Sequence, residues 1–180
     1  MEKDELLRKI AEKELQFFLK LNAKNPECKK EDTFKFMRIA RFYPYSFLTL
    51  SSYFQDLEKY ERERKNPLWE KYRCMEGKIS IPQEKMEILR KIVDIETLWI
   101  LELHKKYPHA IQSKDEDFQR YLMCELSTFS LNTLVFYLSD IEHAMEEGRN
   151  LAYESYLYTF TNLGYSSLDE VEEKMREKSR

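Results

Sequence analysis

Along most of the chain apolar residues recur every three or four positions, the period of a helix that buries one face. A first helix is expected from Asp4, as N-cap, to about residue 21, with the stripe Leu7, Ile10, Phe17/Phe18 and Leu21. After a polar loop at residues 24–30, Asp32 is expected to cap a short helix through Phe34, Met37 and Ala40 to about Phe42, which Pro44 ends. Ser46 caps a third helix with Phe47, Leu50, Phe54 and Leu57 inward. Asn66-Pro67 opens a fourth through Leu68, Tyr72 and Met75. Residues 77–82 form a junction. The longest helix follows to about Tyr107, with Met86, Leu89, Val93, Ile100, Leu103 and Tyr107 on its stripe. Pro108 stops it, and a loop at residues 113–117 leads to a helix from about 116 to 128. Ser130 caps the next, with Leu131, Leu134, Leu138, Ile141 and Met145 inward; Gly148 terminates it and Asn150 caps a helix to about 163. Gly164 breaks the chain again, and Ser167 caps a last charged helix over about 167–178.

The pattern occurs twice. Adding 84 to the numbers of residues 41–72 aligns them without a gap on 125–156, with ten identities: Ser46, Thr49, Leu50, Tyr53, Asp56, Glu58, Glu63, Asn66, Glu70 and Tyr72 meet Ser130, Thr133, Leu134, Tyr137, Asp140, Glu142, Glu147, Asn150, Glu154 and Tyr156. About two would be expected from typical residue frequencies. A shift of 82 places Ile10, Glu14 and Leu21 on Ile92, Glu96 and Leu103. Both long helices therefore carry a carboxylate inside an apolar stripe, and a buried ionised carboxylate must be paired and hydrogen-bonded. Either each helix is turned slightly so that its Glu reaches solvent or one Arg, or the two acids meet donors, or they sit in a wet cleft. Tyr53 and Tyr137 share a helix face with Ser46/Thr49/Asp56 and Ser130/Thr133/Asp140, and their hydroxyls are available to Glu14 and Glu96, within the halves or across them. The repeat is broken where Arg41 meets Glu125, with Arg38 and Arg120 on the same two short helices. Glu14, Arg38, Arg41, Tyr53, Glu96, Arg120, Glu125 and Tyr137 are thus the candidate binding set. It reads either as a fully paired structural network or as the lining of a polar cavity for a small charged ligand.

Composition narrows the function classes. The 180 residues, 42% hydrophobic and 14% aromatic, suffice for one domain with a sizeable core, and three Gly with five Pro leave few helix breakers. A net charge of −3 with 35% charged residues does not favour a nucleic-acid backbone. The amino terminus interrupts its apolar pattern with acids and has no signal-peptide h-region, and no stretch is apolar enough for a membrane span. Cys28, Cys74 and Cys124 share no CxxC spacing, so reduced thiols in a cytoplasm are expected, Cys124 as a core thiol. Nucleophile-elbow, phosphate-loop, dinucleotide and zinc-protease motifs are absent. Asp140-x-x-His143 is half of a bundle metal motif, but Lys59 stands at the matching first-half position, so neither metal nor cofactor is expected.

The segments Arg120-Tyr-Leu-Met-Cys-Glu-Leu-Ser-Thr-Phe-Ser130, Glu146-Glu-Gly-Arg-Asn-Leu151 and Leu163-Gly-Tyr-Ser-Ser-Leu168 resemble the second half of the domain-of-unknown-function 4125 family of uncharacterised bacterial proteins. Phe34-Lys-Phe-Met-Arg-Ile-Ala-Arg-Phe42 and Glu70-Lys-Tyr-Arg-Cys-Met75 resemble its first half. The chain departs from that pattern at Arg64-Lys-Asn-Pro67, where the resemblance implies a glycine-containing turn.

The expected fold is all-α: a single domain over residues 1–180, built of two halves at about 4–76 and 82–163 related by a pseudo-twofold, plus the C-terminal helix. A compact array is expected, since two copies are fewer than a solenoid needs. The leading functional expectation is a non-catalytic binding or adaptor protein that holds a small polar molecule or a protein partner between the halves. The alternatives are a small-molecule hydrolase or lyase with Glu96 or Glu125 as general base and Tyr137 as acid, or a purely structural or oligomeric partner. Nothing in the sequence gives the oligomeric state.

Overall fold

In a computed structural model, which describes residues 1–21, 30–114 and 116–180, the described chain is helical and carries no strand. The helices are α1 (Lys3–Leu21), α2 (Glu31–Phe42), α3 (Phe47–Arg62), α4 (Pro67–Met75), α5 (Gln83–Lys106), α6 (Glu116–Ser127), α7 (Leu131–Glu146), α8 (Leu151–Asn162) and α9 (Leu168–Lys178). None is long and apolar enough to cross a membrane. Most of the expected 24–30 loop, with Cys28, lies outside the described residues, as does Asp115 of the 113–117 loop.

Local chemistry sets the boundaries. Ser46 Oγ accepts from the Thr49 amide and Ser130 Oγ from the Thr133 amide, both at 3.2 Å. Asn66 Oδ1 accepts from the Leu68 amide at 3.0 Å while its Nδ2 donates to the Phe17 carbonyl at 2.9 Å. Asn150 accepts from the Tyr153 amide at 3.0 Å and donates to the Trp99 carbonyl at 3.2 Å. Each Asn therefore caps one helix and tethers it to a long one. Asp32 is not the cap of α2: Lys30 holds that position without a side-chain hydrogen bond, and Asp32 sits in the first turn, where its charge faces the helix dipole.

α1 packs on α2, α3 and α4, and α5 on α6, α7 and α8; α3 lies against α7, α4 against α6, and α2 against α8. The main core gathers Ile10, Leu50, Leu57, Ile92, Leu134 and Ile141 around the ring contacts of Phe42, Tyr53 and Phe129. A smaller cluster of Leu103, Tyr107, Ile111 and Leu168 seats α9. There Glu172 accepts from the backbone amides of His109 at 2.6 Å and Ala110 at 3.0 Å.

The buried faces of α3 and α7 are turned from the expected stripes. Phe47, Leu131 and Met145 are exposed, and Thr49, Ser52, Tyr53, Thr133, Tyr137 and Ala144 are buried instead. Hydroxyl pairing explains the rotation. Ser52 Oγ and Thr133 Oγ1 are 2.6 Å apart, Thr49 Oγ1 donates to Asp140 at 2.7 Å, and Thr133 Oγ1 donates to Asp56 at 2.7 Å. Small polar groups satisfied in this way can occupy the seam between the helices. The expectation of reduced thiols is also corrected: Cys74 of α4 and Cys124 of α6 form a disulfide. Their 50-residue separation offers no spacing motif; only the packing of α4 on α6 brings them together.

Candidate functional site

Helical phase brings the charges together. Glu14 lies on the stripe of α1 and Glu96 on that of α5, at 3% and 6% exposure; α6 supplies Glu125 at 4% and α4 supplies Lys71 at 5%. Arg38 and Arg41, three residues apart on one face of α2, reach between them. Arg38 forms a two-pronged pair with Glu14, Nε to Oε1 at 2.9 Å and Nη2 to Oε2 at 3.0 Å. Arg41 does the same with Glu96 through Nη1 at 2.7 Å and Nη2 at 3.4 Å. Rings hold the guanidinium groups in place: Arg38 lies 4.9 Å from the Phe42 centroid and Arg41 5.7 Å from that of Tyr45. Tyr53 donates to Glu14 at 2.8 Å and Tyr137 to Glu96 at 2.9 Å.

Glu125 sits between the two arginines. Its Oε1 is 2.6 Å from Arg38 Nη1 and its Oε2 is 3.6 Å from Arg41 Nε. The short contact lies off the direction of a hydrogen bond, so Oε1 is ion-paired yet has no directed donor. Lys71 Nζ is 3.7 Å from the same oxygen and 3.5 Å from the Tyr121 hydroxyl, over the rings of Tyr72 and Tyr121. The Tyr121 hydroxyl is its hydrogen-bond acceptor and Glu125 its ion-pair partner.

Arg38, Arg41, Lys71, Glu96 and Glu125 form the floor of a cleft of about 440 Å³. Its walls are apolar and aromatic: Phe18 and Phe34, stacked at 4.7 Å, with Leu68, Ile100, Phe118 and Tyr156. Such a volume, with a few convergent polar groups, is typical of small-molecule sites. The family described as protein of unknown function (DUF4125) matches the chain over residues 4–173. The chain belongs to that family. No curated protein and no solved structure matches it, so for this DUF4125 member the chemistry of the cleft carries the functional argument.

Of the candidate residues, Glu14, Arg38, Arg41, Tyr53, Glu96, Glu125 and Tyr137 are contiguous. Arg38, Arg41, Glu96 and Glu125 line the cleft, while Glu14, Tyr53 and Tyr137 lie behind it. Both tyrosines pair with the carboxylate of their own half of the sequence. Arg120 does not join them: it is exposed, with Nη2 near Gly77. The cation from the neighbouring helix is Lys71, which the sequence reading missed. Its signal is its phase, between Leu68 and Cys74 at three-residue steps on the buried side of α4.

The electrostatics fix protonation. Burial would raise the Glu125 carboxyl, but Arg38, Lys71 and Arg41 outweigh it and hold its pKa at about 2. Burial, reinforced by Glu14 and Glu96, pushes the Tyr53 and Tyr137 hydroxyls well above their ordinary range, so both stay protonated donors. Among the described residues no group of three His, Cys, Asp or Glu side chains is placed to hold a metal ion.

Proposed function

We propose that the chain is a non-catalytic binding protein whose ligand, a small molecule with a polar head, enters this cleft. The carrying observation is a cleft of about 440 Å³ with apolar walls that ends on a buried, mutually paired set of arginine, lysine and glutamate side chains. The protonation of Glu125 and the position of Tyr137 favour binding over acid–base catalysis by that pair. A general base works best with a pKa near the operating pH, and Glu125 is held far below it; Tyr137 is buried behind Glu96, away from the cleft. A protein partner could present an apolar side chain to the same cleft, whose mouth carries exposed Met37 and Tyr72.

The two halves are proposed to derive from one duplicated unit arranged about a pseudo-twofold, with the cleft between them. Reciprocal contacts support this reading: Asp140 accepts from the Ser46 amide and Asp56 from the Ser130 amide, both at 2.9 Å. For the compartment, the Cys74–Cys124 disulfide stands against the reducing cytoplasm expected from the sequence, because disulfides persist in oxidising surroundings.

The test is a thermal-shift screen of polar-headed metabolites on the full chain and on Thr159→Trp, which places a bulky ring in the cleft from α8 and leaves every charged residue of its floor unchanged. A ligand at a hundred times its Kd stabilises by about 2.7 kcal/mol. The expected hit shifts the parent chain and not Thr159→Trp; a hit that shifts both equally puts the ligand elsewhere. With no small-molecule hit, the partner reading takes precedence.

A further inference from the structure

The charge balance of the cleft floor narrows the ligand. Arg38, Arg41 and Lys71 are matched by Glu14, Glu96 and Glu125, so the floor has no net formal charge. A head group of net charge set against this buried floor would remain uncompensated, which is costly. A head without charge would leave two groups that are ion-paired but poorly hydrogen-bonded as they are. One is the Lys71 ammonium, buried at 5% exposure and held by a long 3.5 Å hydrogen bond to the Tyr121 hydroxyl and a 3.7 Å pairing with Glu125. The other is Glu125 Oε1, which is 2.6 Å from Arg38 Nη1 but is buried without a well-directed donor. The two groups are 3.7 Å apart. A ligand that answers both brings an anionic acceptor and a cationic donor on neighbouring atoms, with an apolar body to lie against Phe34, Ile100, Phe118 and Tyr156.

Resting on the reading of the cleft as a ligand site, we infer that its ligand is a free α-amino acid with an apolar or aromatic side chain. The α-carboxylate meets Lys71 and the cleft-facing edge of Arg41, whose side chain is 24% exposed against 12% for Arg38. The α-ammonium donates to Glu125 Oε1, and the side chain fills the aromatic part of the cleft.

The test is isothermal titration of the full chain with leucine, phenylalanine and tryptophan, each beside the amine that lacks its carboxylate and the acid that lacks its ammonium. At least one amino acid is expected to bind ten or more times as tightly as both of its analogues, and Thr159→Trp to abolish the binding while keeping the parent circular dichroism. Lys71→Met is expected to bring that amino acid down to the affinity of its amine. If that variant fails to fold, the wild-type comparison decides alone. An amine or an acid binding as tightly as its amino acid overturns the inference, as does no binding by any of the three amino acids. In that last case a hit for another compound in the broad screen leaves the cleft standing as a site, and no hit there removes both.

Discussion

At Glu125 burial and charge pull in opposite directions, and the cations prevail, so the folded carboxyl titrates at about 2 against an ordinary value of 4.5. A depressed folded pKa contributes stability that is fully present above the unfolded value and is lost as pH falls through the folded one. Stability should therefore decline as pH falls from about 4.5 towards 2, in part because Glu125 must take up a proton. Glu125→Gln cannot take up that proton. At pH 7 it should cost about 3–5 kcal/mol, because Arg38 and Lys71 are left buried beside a neutral amide. Urea unfolding at pH 7 and pH 3 should show the gap between parent and variant narrowing in acid; an unchanged gap would mean that the ionised carboxylate contributes nothing. At this scale the sequence showed the acids better than their partners. Glu14 and Glu96 stand out because a charge interrupts an apolar stripe. Arg120 was grouped with them by proximity alone, and five residues before Glu125 on a helix of 3.6 residues per turn puts it about 140° around the axis. Lys71 was overlooked because one lysine between Glu70 and Tyr72 looks like surface until the phase of α4 is considered.

The turns that close α3 and α7 reach the same backbone shape with different residues. After α7, Gly148 takes φ 69°, in the left-handed region that glycine enters without penalty. After α3 the corresponding position is Arg64, at φ 57°. An L-residue there is disfavoured by roughly 1–2 kcal/mol, partly offset by the lower entropy loss of a non-glycine residue on folding. Arg64 is exposed, so its replacement removes no buried contact. Arg64→Gly should therefore stabilise the chain by up to about 1 kcal/mol, and Gly148→Ala should destabilise it by a similar amount. Chemical-denaturation midpoints at constant slope would check both signs, and a destabilising Arg64→Gly would refute the strain assignment. Elements of this kind were legible because their signals are local: Ser46, Asn66, Ser130, Asn150 and Ser167 all sit at helix starts where their chemistry puts them. The inward faces of α3 and α7 were less so. Periodicity favours Phe47 and Leu131 over Thr49 and Thr133, and only the Asp56 and Asp140 acceptors on the opposite helix make the threonines the better buried residues.

Across the whole molecule, the least legible feature is the bond between Cys74 and Cys124, which depends on how two helices 50 residues apart come to lie. It joins α4 to α6, and the cleft takes Lys71 from the first and Tyr121, Leu122 and Glu125 from the second. A cross-link between distant residues restricts the unfolded chain, and in the loop-entropy picture a separation of 50 residues corresponds to about 4 kcal/mol of stability. The same bond fixes the separation of two helices that also meet through the Lys71–Glu125 pair, so its loss should reach the floor of the cleft. Cys74 and Cys124 are buried, so paired serines would leave hydroxyls without water, and paired alanines are the cleaner replacement. The Cys74→Ala/Cys124→Ala chain should unfold at a lower denaturant concentration than the oxidised parent and should not respond to reductant. The parent, unfolded and refolded under reductant, should lose most of the same increment. If instead the parent is equally stable with its thiols reduced, the two helices are held by packing and ion pairing alone. The bond would then be incidental to the stability of the fold.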